Sequence, residues 1–288
     1  MTAAAQRVRT GPPGRRRQAG PLPGFGLSMG VTLAWLAAIV LIPLAALAIR
    51  PWELGAEGVW QTLTDDRVAA AFRLSFGAAA IAALVDAVLG LIVAWAIVRY
   101  RFPGRRLLDA MVDLPFALPT AVAGIALTAI YAPNGPIGGL LAQIGIKSAY
   151  SPLGVVIALT FIGLPFVVRA VQPVLEEVDR EVEEAARTLG ATDGQRIVRV
   201  VLPAVLPAIL AGVGLAFARA VGEYGSVIFI AGNLPLVSEI APLLIVIKLE
   251  QYDYAGAAAV GLGMLVLSFA VLLVLNLLQT ALTRRSAG

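Results

Sequence analysis

The chain has 288 residues, of which 59% are hydrophobic and only 14% are charged, and its mean hydropathy is +0.87. A globular domain usually carries about 25% charged residues, so most of this surface must face lipid or other apolar helices. Cysteine and histidine are absent and the net charge of +4 is clustered at the ends of apolar runs, which excludes disulfides and thiolate metal sites, removes the commonest general base, and indicates membrane topology rather than nucleic-acid binding.

Residues 1–26 are rich in arginine, proline and glycine and predict a disordered basic tail. Six apolar runs follow, each of about 20 residues or more, the length needed to cross ~30 Å of hydrocarbon. They cover residues 27–49, 74–98, 111–131, 152–171, 205–231 and 256–280. The first run exceeds the roughly 7–15 residues of a signal-peptide core, so we expect an uncleaved helix. The sequence therefore predicts an all-α polytopic membrane protein with a transmembrane domain over residues 27–283.

Basic residues indicate how these spans are oriented. Most of the 22 lysines and arginines fall on one side of the predicted membrane: in the tail, in residues 99–106, in the polar segment 173–204 and at the C-terminal end. Positive charge marks the cytoplasmic side, so we expect both termini and the polar segment in the cytoplasm. Residues 240–249 are apolar but too short to cross, and they predict an interfacial or re-entrant helix on the outer side.

The polar segment 173–204 lies between two apolar runs and has the pattern of a helical hairpin. Its apolar residues recur every three or four positions, which predicts one apolar stripe on a helix. The stripe consists of Val178, Val182, Ala185 and Leu189. Gly190 suits a left-handed helix stop, and Pro203 ends a second helical piece. The segment is either a solvated link between two spans or a surface that a cytoplasmic partner recognises.

One spacing within this segment resembles the cytoplasmic signature of permease subunits of bacterial ABC importers. The signature residues are Glu184, Ala185 and Ala186, then Gly190 after three residues, Val200 after nine more, and finally Leu202 and Pro203. Val200 stands where that family most often has isoleucine. In the family this segment is the coupling helix, which docks on the ATP-hydrolysing subunit. The resemblance implies the same role for these residues.

Two further stretches carry a narrower resemblance. Residues 99–106 with 113–120, and residues 222–233 with 251–256, are similar to sulfate/thiosulfate permeases and their molybdate relatives. The five residues from Gly222 to Ser226 (Gly-Glu-Tyr-Gly-Ser) are most similar to the CysT type of subunit. The resemblance covers residues 28–280 and implies the six-span, MetI-like fold of ABC-importer permeases. It also implies sulfate or thiosulfate import across a bacterial cytoplasmic membrane.

The same resemblance implies a set of partners. These are a second, CysW-like permease subunit, two ABC ATPase subunits and an extracytoplasmic sulfate-binding protein, which we expect to dock on residues 132–150 and 232–255. Membrane lipid is the remaining partner, and no nucleic acid is expected. The sequence has no G-x-x-x-x-G-K-[ST] phosphate loop. We therefore expect a non-catalytic subunit that binds no cofactor, with ATP and Mg²⁺ held by the separate ATPase.

Two prolines, Pro115 and Pro119, fall early in the third predicted span. Each removes a backbone donor and tends to kink a helix. The kink is either a pliable part of the translocation pathway or a static feature filled by neighbouring side chains.

Three ionisable residues, Asp86, Arg219 and Glu223, lie inside predicted spans, where a charge costs at least ~2.5–3.5 kcal/mol. Arg219 and Glu223 are four residues apart and share one face of the predicted helix. They either neutralise each other, with Asp86 joining them, or Arg219 assists the passage of a sulfate dianion. Tyr224 and Gly225 beside them either narrow the pathway or serve close helix packing.

Two other functions fit parts of the sequence. Molybdate or tungstate is an alternative cargo, because these tetrahedral oxyanions resemble sulfate. An ion-coupled secondary transporter would need no ATPase, but the cytoplasmic signature and the lack of a midplane acid–base relay beyond three charges argue against it. An intramembrane enzyme would need a catalytic constellation that the sequence does not contain.

Overall fold

The computed structural model describes residues 25–286, and the side chains of all of them except Arg180 and residues 278–286. The predicted basic tail, residues 1–26, therefore lies almost wholly outside the described residues. Every regular element in the described part is a helix, which confirms the predicted all-α class. The chain divides into a first unit that ends at Ala46 and a second that begins at Leu47.

Residues 25–46 of helix α1 (Phe25–Ile49) make up the described part of the first unit. The helix is apolar on every face and contains no buried residue, as expected of a span that lipid surrounds. The chain continues through a 3-10 turn (Arg50–Leu54) into α2 (Gly55–Thr64).

The remaining helices follow in chain order. They are α3 (Asp66–Arg99), α4 (Arg105–Val112), α5 (Leu114–Ala117), α6 (Thr120–Tyr131), α7 (Gly138–Gln143), α8 (Pro152–Glu177), α9 (Arg180–Thr188), α10 (Asp193–Arg196), α11 (Leu202–Val221), α12 (Val227–Ile230), α13 (Ala241–Glu250) and α14 (Tyr254–Ser286). A π-helical turn (Ile197–Val201) joins α10 to α11.

Five helical stretches of the described chain are long and apolar enough to cross a membrane. They are Phe25–Thr64, Asp66–Arg99, Pro152–Glu177, Asp193–Val221 and Tyr254–Leu277. These stretches correspond to five of the six predicted spans, and they make the chain a multi-pass membrane protein. Helix α13 has 10 residues and measures roughly 15 Å, so it is too short to cross, as the sequence predicts.

The sixth predicted span, residues 111–131, is not a continuous helix. It is divided among α4, α5 and α6, and Leu118 is extended, with φ −86° and ψ 136°. A residue before proline is pushed out of the helical region, and Pro119 also lacks the N–H that would continue the ladder. Helix α6 has 12 residues, roughly 18 Å, which cannot cross alone. The run is therefore a broken helical segment, interrupted at the prolines where the sequence predicts a kink.

The fifth predicted span also has different bounds. The sequence predicts residues 205–231, whereas the helical stretch runs from Asp193 to Val221 and is followed by non-helical residues 222–226. Glycine is a poor helix former, and the Glu223 carboxylate accepts the backbone N–H of Ser226. This local bond replaces a helical one, so the chain leaves the helix at Gly222.

Helices α3, α8 and α11 pack together at the centre of the second unit. In the most apolar window of α8, 56% of the residues are buried, against 11% in α14, so α8 is central and α14 peripheral. A Cβ at Gly90 of α3 or at Gly212 of α11 would collide with Val167 of α8. These two glycines therefore allow α3 and α11 to approach α8 closely from two directions.

Candidate coupling surface and substrate path

The polar segment forms a helical hairpin whose ends are capped. Asp179 accepts the backbone N–H of Glu181 at the start of α9. Gly190 follows the end of α9 with φ +84°, a left-handed conformation that glycine adopts at no steric cost. Thr192 starts α10 with a reciprocal capping box to Gln195. The chain thus specifies both the turn and the start of the second helix.

The apolar stripe of the hairpin is largely uncovered by other residues of this chain. Val178 is half-buried, but Val182 is 53% exposed and Leu189 is 89% exposed. A leucine this exposed at the tip of a capped turn contributes no internal packing. The stripe is therefore available to a partner.

The signature residues occupy two places around this stripe. Glu184, Ala185 and Gly190 are exposed on the hairpin, and Ala186 is half-buried beside them. The last two signature residues stand in the first turn of α11, where Leu202 is half-buried and Pro203 is exposed. Proline is tolerated there because the first N–H groups of a helix have no intrahelical partner.

Behind α9 lies a buried charge cluster that the sequence analysis did not identify. Glu183 is 8% exposed. Its two carboxylate oxygens face Arg99 at the end of α3 and Arg196 in α10, at 2.6 and 3.3 Å. The only signal in the sequence is the pair Glu183-Glu184, of which one side chain turns inward and the other outward.

A second missed network fixes the broken segment to α8. The Arg169 guanidinium donates to both carboxylate oxygens of Asp113, at 2.9 and 2.6 Å, and to Asp109 Oδ1 at 2.6 Å. Asp113 directly precedes α5, which contains Pro115, and Phe116 packs edge-on against Phe166 of α8 with ring centroids 5.2 Å apart. Pro115 is therefore held in a packed, ion-paired environment.

The interruption before Pro119 and the interruption at residues 222–226 lie against each other. A Cβ at Gly225 would collide with the Thr120 side chain, and one at Gly124 would collide with the backbone of Ser226. The start of α6, just after Pro119, therefore packs on the loop 222–226, which also contains the half-buried Tyr224. We call residues 118–120 together with 222–226 the break junction.

The charged residues near the break junction are paired. Arg219 Nη1 lies 2.5 Å from Glu223 Oε2, and Glu223 Oε1 accepts from the backbone N–H and the hydroxyl of Ser226 at 2.9 and 3.0 Å. Glu223 is only 3% exposed, so its charge is balanced inside the protein. This geometry favours mutual neutralisation of Arg219 and Glu223 over the alternative that Arg219 assists the passage of the anion.

Asp86 does not join this pair, contrary to the expectation. It is fully buried in α3, its Oδ2 occupies the place that a Cβ at Gly163 would take, and neither carboxylate oxygen has a hydrogen-bond partner within the described residues.

On the side that we expect to face outward, ion pairs anchor the segment around α13. Arg67 donates twice to Glu239, both at 2.7 Å, and the backbone N–H of Ala241 donates to Ser75 Oγ. Lys248 Nζ lies 2.8 Å from Asp253 Oδ2. The hydrogen bond from Lys248, together with the backbone N–H of Gly256, lowers the pKa of Asp253 below its ordinary value.

Apolar spans, two helix breaks that meet, and a capped hairpin with an uncovered apolar stripe define a multi-pass transport protein. The chain belongs to the family described as binding-protein-dependent transport system inner membrane component, whose family model matches residues 86–288. This membership confirms the expected family and its helical permease fold.

Two relatives narrow the similarity further. The chain is 47% identical over 267 residues to the sulfate transport system permease protein CysT of Salmonella typhimurium, covering 93% of this chain and 96% of that protein. It is 50% identical over 249 residues to the CysT protein of Synechocystis, covering 86% of this chain and 87% of the relative. These names confirm the resemblance that the sequence shows to CysT-type permeases.

Solved structures agree with the fold. One is a bacterial ABC transporter involved in the import of alginate, with a TM-score of 0.72 at 16% identity, covering 90% of this chain and 96% of that chain. Another is the same kind of transporter in complex with an alginate-bound periplasmic protein, with a TM-score of 0.71 at 18% identity, covering 87% and 92%. At these identities the similarity concerns the fold alone.

Proposed function

We propose that the chain is the membrane-spanning permease subunit of an ATP-driven importer of sulfate or thiosulfate. The observation that carries this proposal is the 47% identity to a sulfate permease over 93% of the chain. An alignment that covers nearly the whole of both chains includes the hairpin, the break junction and the segment around α13 together.

Energy would enter through the hairpin. The sequence contains no phosphate-binding loop, so ATP and Mg²⁺ would be bound by a separate ATPase, and this chain would be a non-catalytic subunit without a cofactor of its own. Glu184, Ala185 and Gly190 surround the uncovered Leu189. An apolar tip with small neighbours suits insertion into a groove of a partner.

The anion would pass at the break junction. Non-helical backbone at membrane depth is tolerated only where it is buried in protein or lines a water-filled cavity. Residues 118–119 and 222–226 are such backbone, and they bring Pro119 and Tyr224 into one region. Arg219 and Glu223 would hold the shape of this region as a neutral pair.

The assembly would contain four further chains. These are a second, CysW-like permease subunit, two ABC ATPase subunits and an extracytoplasmic sulfate-binding protein. The binding protein would dock on residues 132–150 and 232–255, where Arg67–Glu239 and Lys248–Asp253 anchor the chain. Both termini and the hairpin would face the cytoplasm of a bacterial cell, with the spans in its inner membrane.

Uptake by the reconstituted complex tests the proposal. Proteoliposomes that contain the permease with its co-purified partners should accumulate labelled sulfate only when ATP is enclosed on the hairpin side. Excess thiosulfate should compete, and excess molybdate or tungstate should not. Uptake that follows an ion gradient without ATP would contradict the proposal, and preferential competition by molybdate would assign a different cargo.

The role of Arg219 needs a paired substitution. Arg219→Ala leaves the buried Glu223 carboxylate without its cation, so we expect loss of assembly as well as of uptake. Arg219→Ala combined with Glu223→Gln removes both charges, and we expect assembly and uptake to recover. A double variant that assembles but does not import would instead place Arg219 on the anion path.

A further inference from the structure

Glu183 lies between two arginines at the base of the hairpin. Its Oε1 is 2.6 Å from Arg99 Nη2 and its Oε2 is 3.3 Å from Arg196 Nε. Both are charge contacts whose angles do not make aligned hydrogen bonds. All three side chains are largely buried, with 11% of Glu183, 10% of Arg99 and 14% of Arg196 exposed. Water screens such a group far less than it screens a surface pair.

Each member of this cluster belongs to a different helix. Arg99 is the last residue of α3, and its guanidinium stacks over Trp95 one turn earlier, 5.7 Å from the ring centroid. Arg99 Nη2 also donates to the backbone carbonyl of Val178, the residue that follows α8, at 3.5 Å. Arg196 ends α10 and leads through the π-helical turn into α11.

The cluster therefore joins the hairpin to three core helices at the point where they end. Helices α3, α8 and α11 are the three that pack together in the core. Any force that moves α9 acts on α3 through Glu183 and Arg99, and on α11 through Glu183 and Arg196. Because one carboxylate separates two guanidiniums, its loss replaces two attractions with one repulsion.

We propose that Arg99, Glu183 and Arg196 form a transmission clamp that converts movement of the hairpin into movement of α3 and α11. These are positioning residues, because none of them is exposed to a docking partner as Glu184 is. The proposal rests on the proposed function, since it assigns the internal path by which ATP-driven movement reaches the spans.

The test compares two arginines on the same segment. Arg99→Gln removes the ion pair between α3 and Glu183 but leaves the Glu183–Arg196 pair in place, so the buried carboxylate of Glu183 remains paired with a cation. Arg101→Gln is the matched control, because Arg101 is exposed and has no ion pair within the described residues. Sulfate uptake and ATP hydrolysis are measured in the same proteoliposomes that contain the whole complex.

We expect Arg99→Gln to retain ATP hydrolysis and to lose uptake, so that the ATP consumed per sulfate rises at least about tenfold, while Arg101→Gln behaves as the unsubstituted complex does. Glu183→Gln should uncouple at least as strongly. Adding Arg99→Gln to Glu183→Gln should bring little further loss, since the residues act as one unit.

Three results would overturn the clamp. One is an unchanged ratio of ATP to sulfate in Arg99→Gln, and another is an equal effect in Arg101→Gln. The third is failure of the Arg99→Gln and Glu183→Gln complexes to assemble, which would give the cluster a purely structural role. If the unsubstituted complex itself does not couple ATP to sulfate uptake, the proposed function fails, and the clamp fails with it.

A distance measurement gives an independent readout. The chain has no cysteine, so spin labels can be placed at Glu181→Cys in α9 and Ile92→Cys in α3 alone. The clamp predicts one narrow distance between these labels in the nucleotide-free and the ATP-bound complex, and a broadened distribution in Arg99→Gln. A distribution that Arg99→Gln leaves unchanged would show that Arg99 does not hold α9 to α3.

Discussion

Replacing Leu189 with serine should weaken the binding of the ATPase subunit without destabilising the permease. The side chain is 89% exposed, so its removal costs no internal packing, and almost all of its surface remains to be buried on docking. Burying a leucine contributes ~1.5–3 kcal/mol. Its loss should raise the Kd for the ATPase roughly 10- to 100-fold, since ~1.4 kcal/mol corresponds to a factor of ten.

The measurement is the affinity of the isolated ATPase subunit for the permease complex in nanodiscs, together with the thermal stability of the permease. Leu140→Ser is the matched control, because Leu140 is 65% exposed in α7 and receives the same chemical change. Equal affinities in Leu189→Ser and the unsubstituted protein would refute the reasoning. So would an equal loss of affinity in Leu140→Ser, because the effect would then not belong to the hairpin.

Three other substitutions test separate parts of the structure. Gly190 has φ +84° and open space where a Cβ would lie, so a substitution there strains the backbone without causing a collision. Gly190→Val should reduce uptake through strain of roughly 1–3 kcal/mol, whereas Gly190→Asn should keep most of the uptake, because asparagine tolerates this conformation. Equal uptake by the two variants would contradict this. Gly124→Ala should abolish uptake and assembly, because its Cβ would collide with backbone of the break junction, whereas Gly77→Ala, which meets nothing within 4 Å, should do neither. The pKa of Asp253 is lowered in the folded chain. The ionised carboxylate therefore stabilises the fold fully at a pH above its ordinary pKa of about 3.9, and this stabilisation is lost as the pH falls below that value. The melting temperature of Asp253→Asn should therefore fall less on acidification below this pH than that of the unsubstituted protein.

The correct predictions from the sequence rest on the lengths of the apolar runs and on residues that mark the ends of helices. Five apolar runs form helices long enough to span, because a helix satisfies all backbone hydrogen bonds within one segment in lipid. Gly190 likewise predicts the end of α9, since glycine adopts the left-handed conformation observed there at no steric cost. Such features depend on a few neighbouring residues and need no knowledge of tertiary contacts.

The features that the sequence does not predict depend on contacts between distant residues. Hydropathy cannot separate a broken apolar segment from a straight one, and only the extended Leu118 before Pro119 divides the run 111–131. The inward turn of Glu183 depends on Arg99, 84 positions earlier in the printed sequence. Glu183 and Glu184 are adjacent and chemically identical, and only the packed structure shows that Glu183 is buried in an ion pair whereas Glu184 is exposed.

Helix α11 connects the hairpin with the break junction. It has 20 residues and measures roughly 30 Å, with Pro203 of the coupling signature in its first turn and Arg219 in its last. Arg219 pairs with Glu223 in the loop 222–226, and that loop packs on the start of α6 through Gly225 and Thr120. A packed helix is stiff along its axis and transmits displacement rather than absorbing it. In the proposed importer, movement of the hairpin would therefore reach the junction along one element. The breaks at 118–120 and 222–226 would be the places where the chain bends in response, because there the helical ladder is already interrupted.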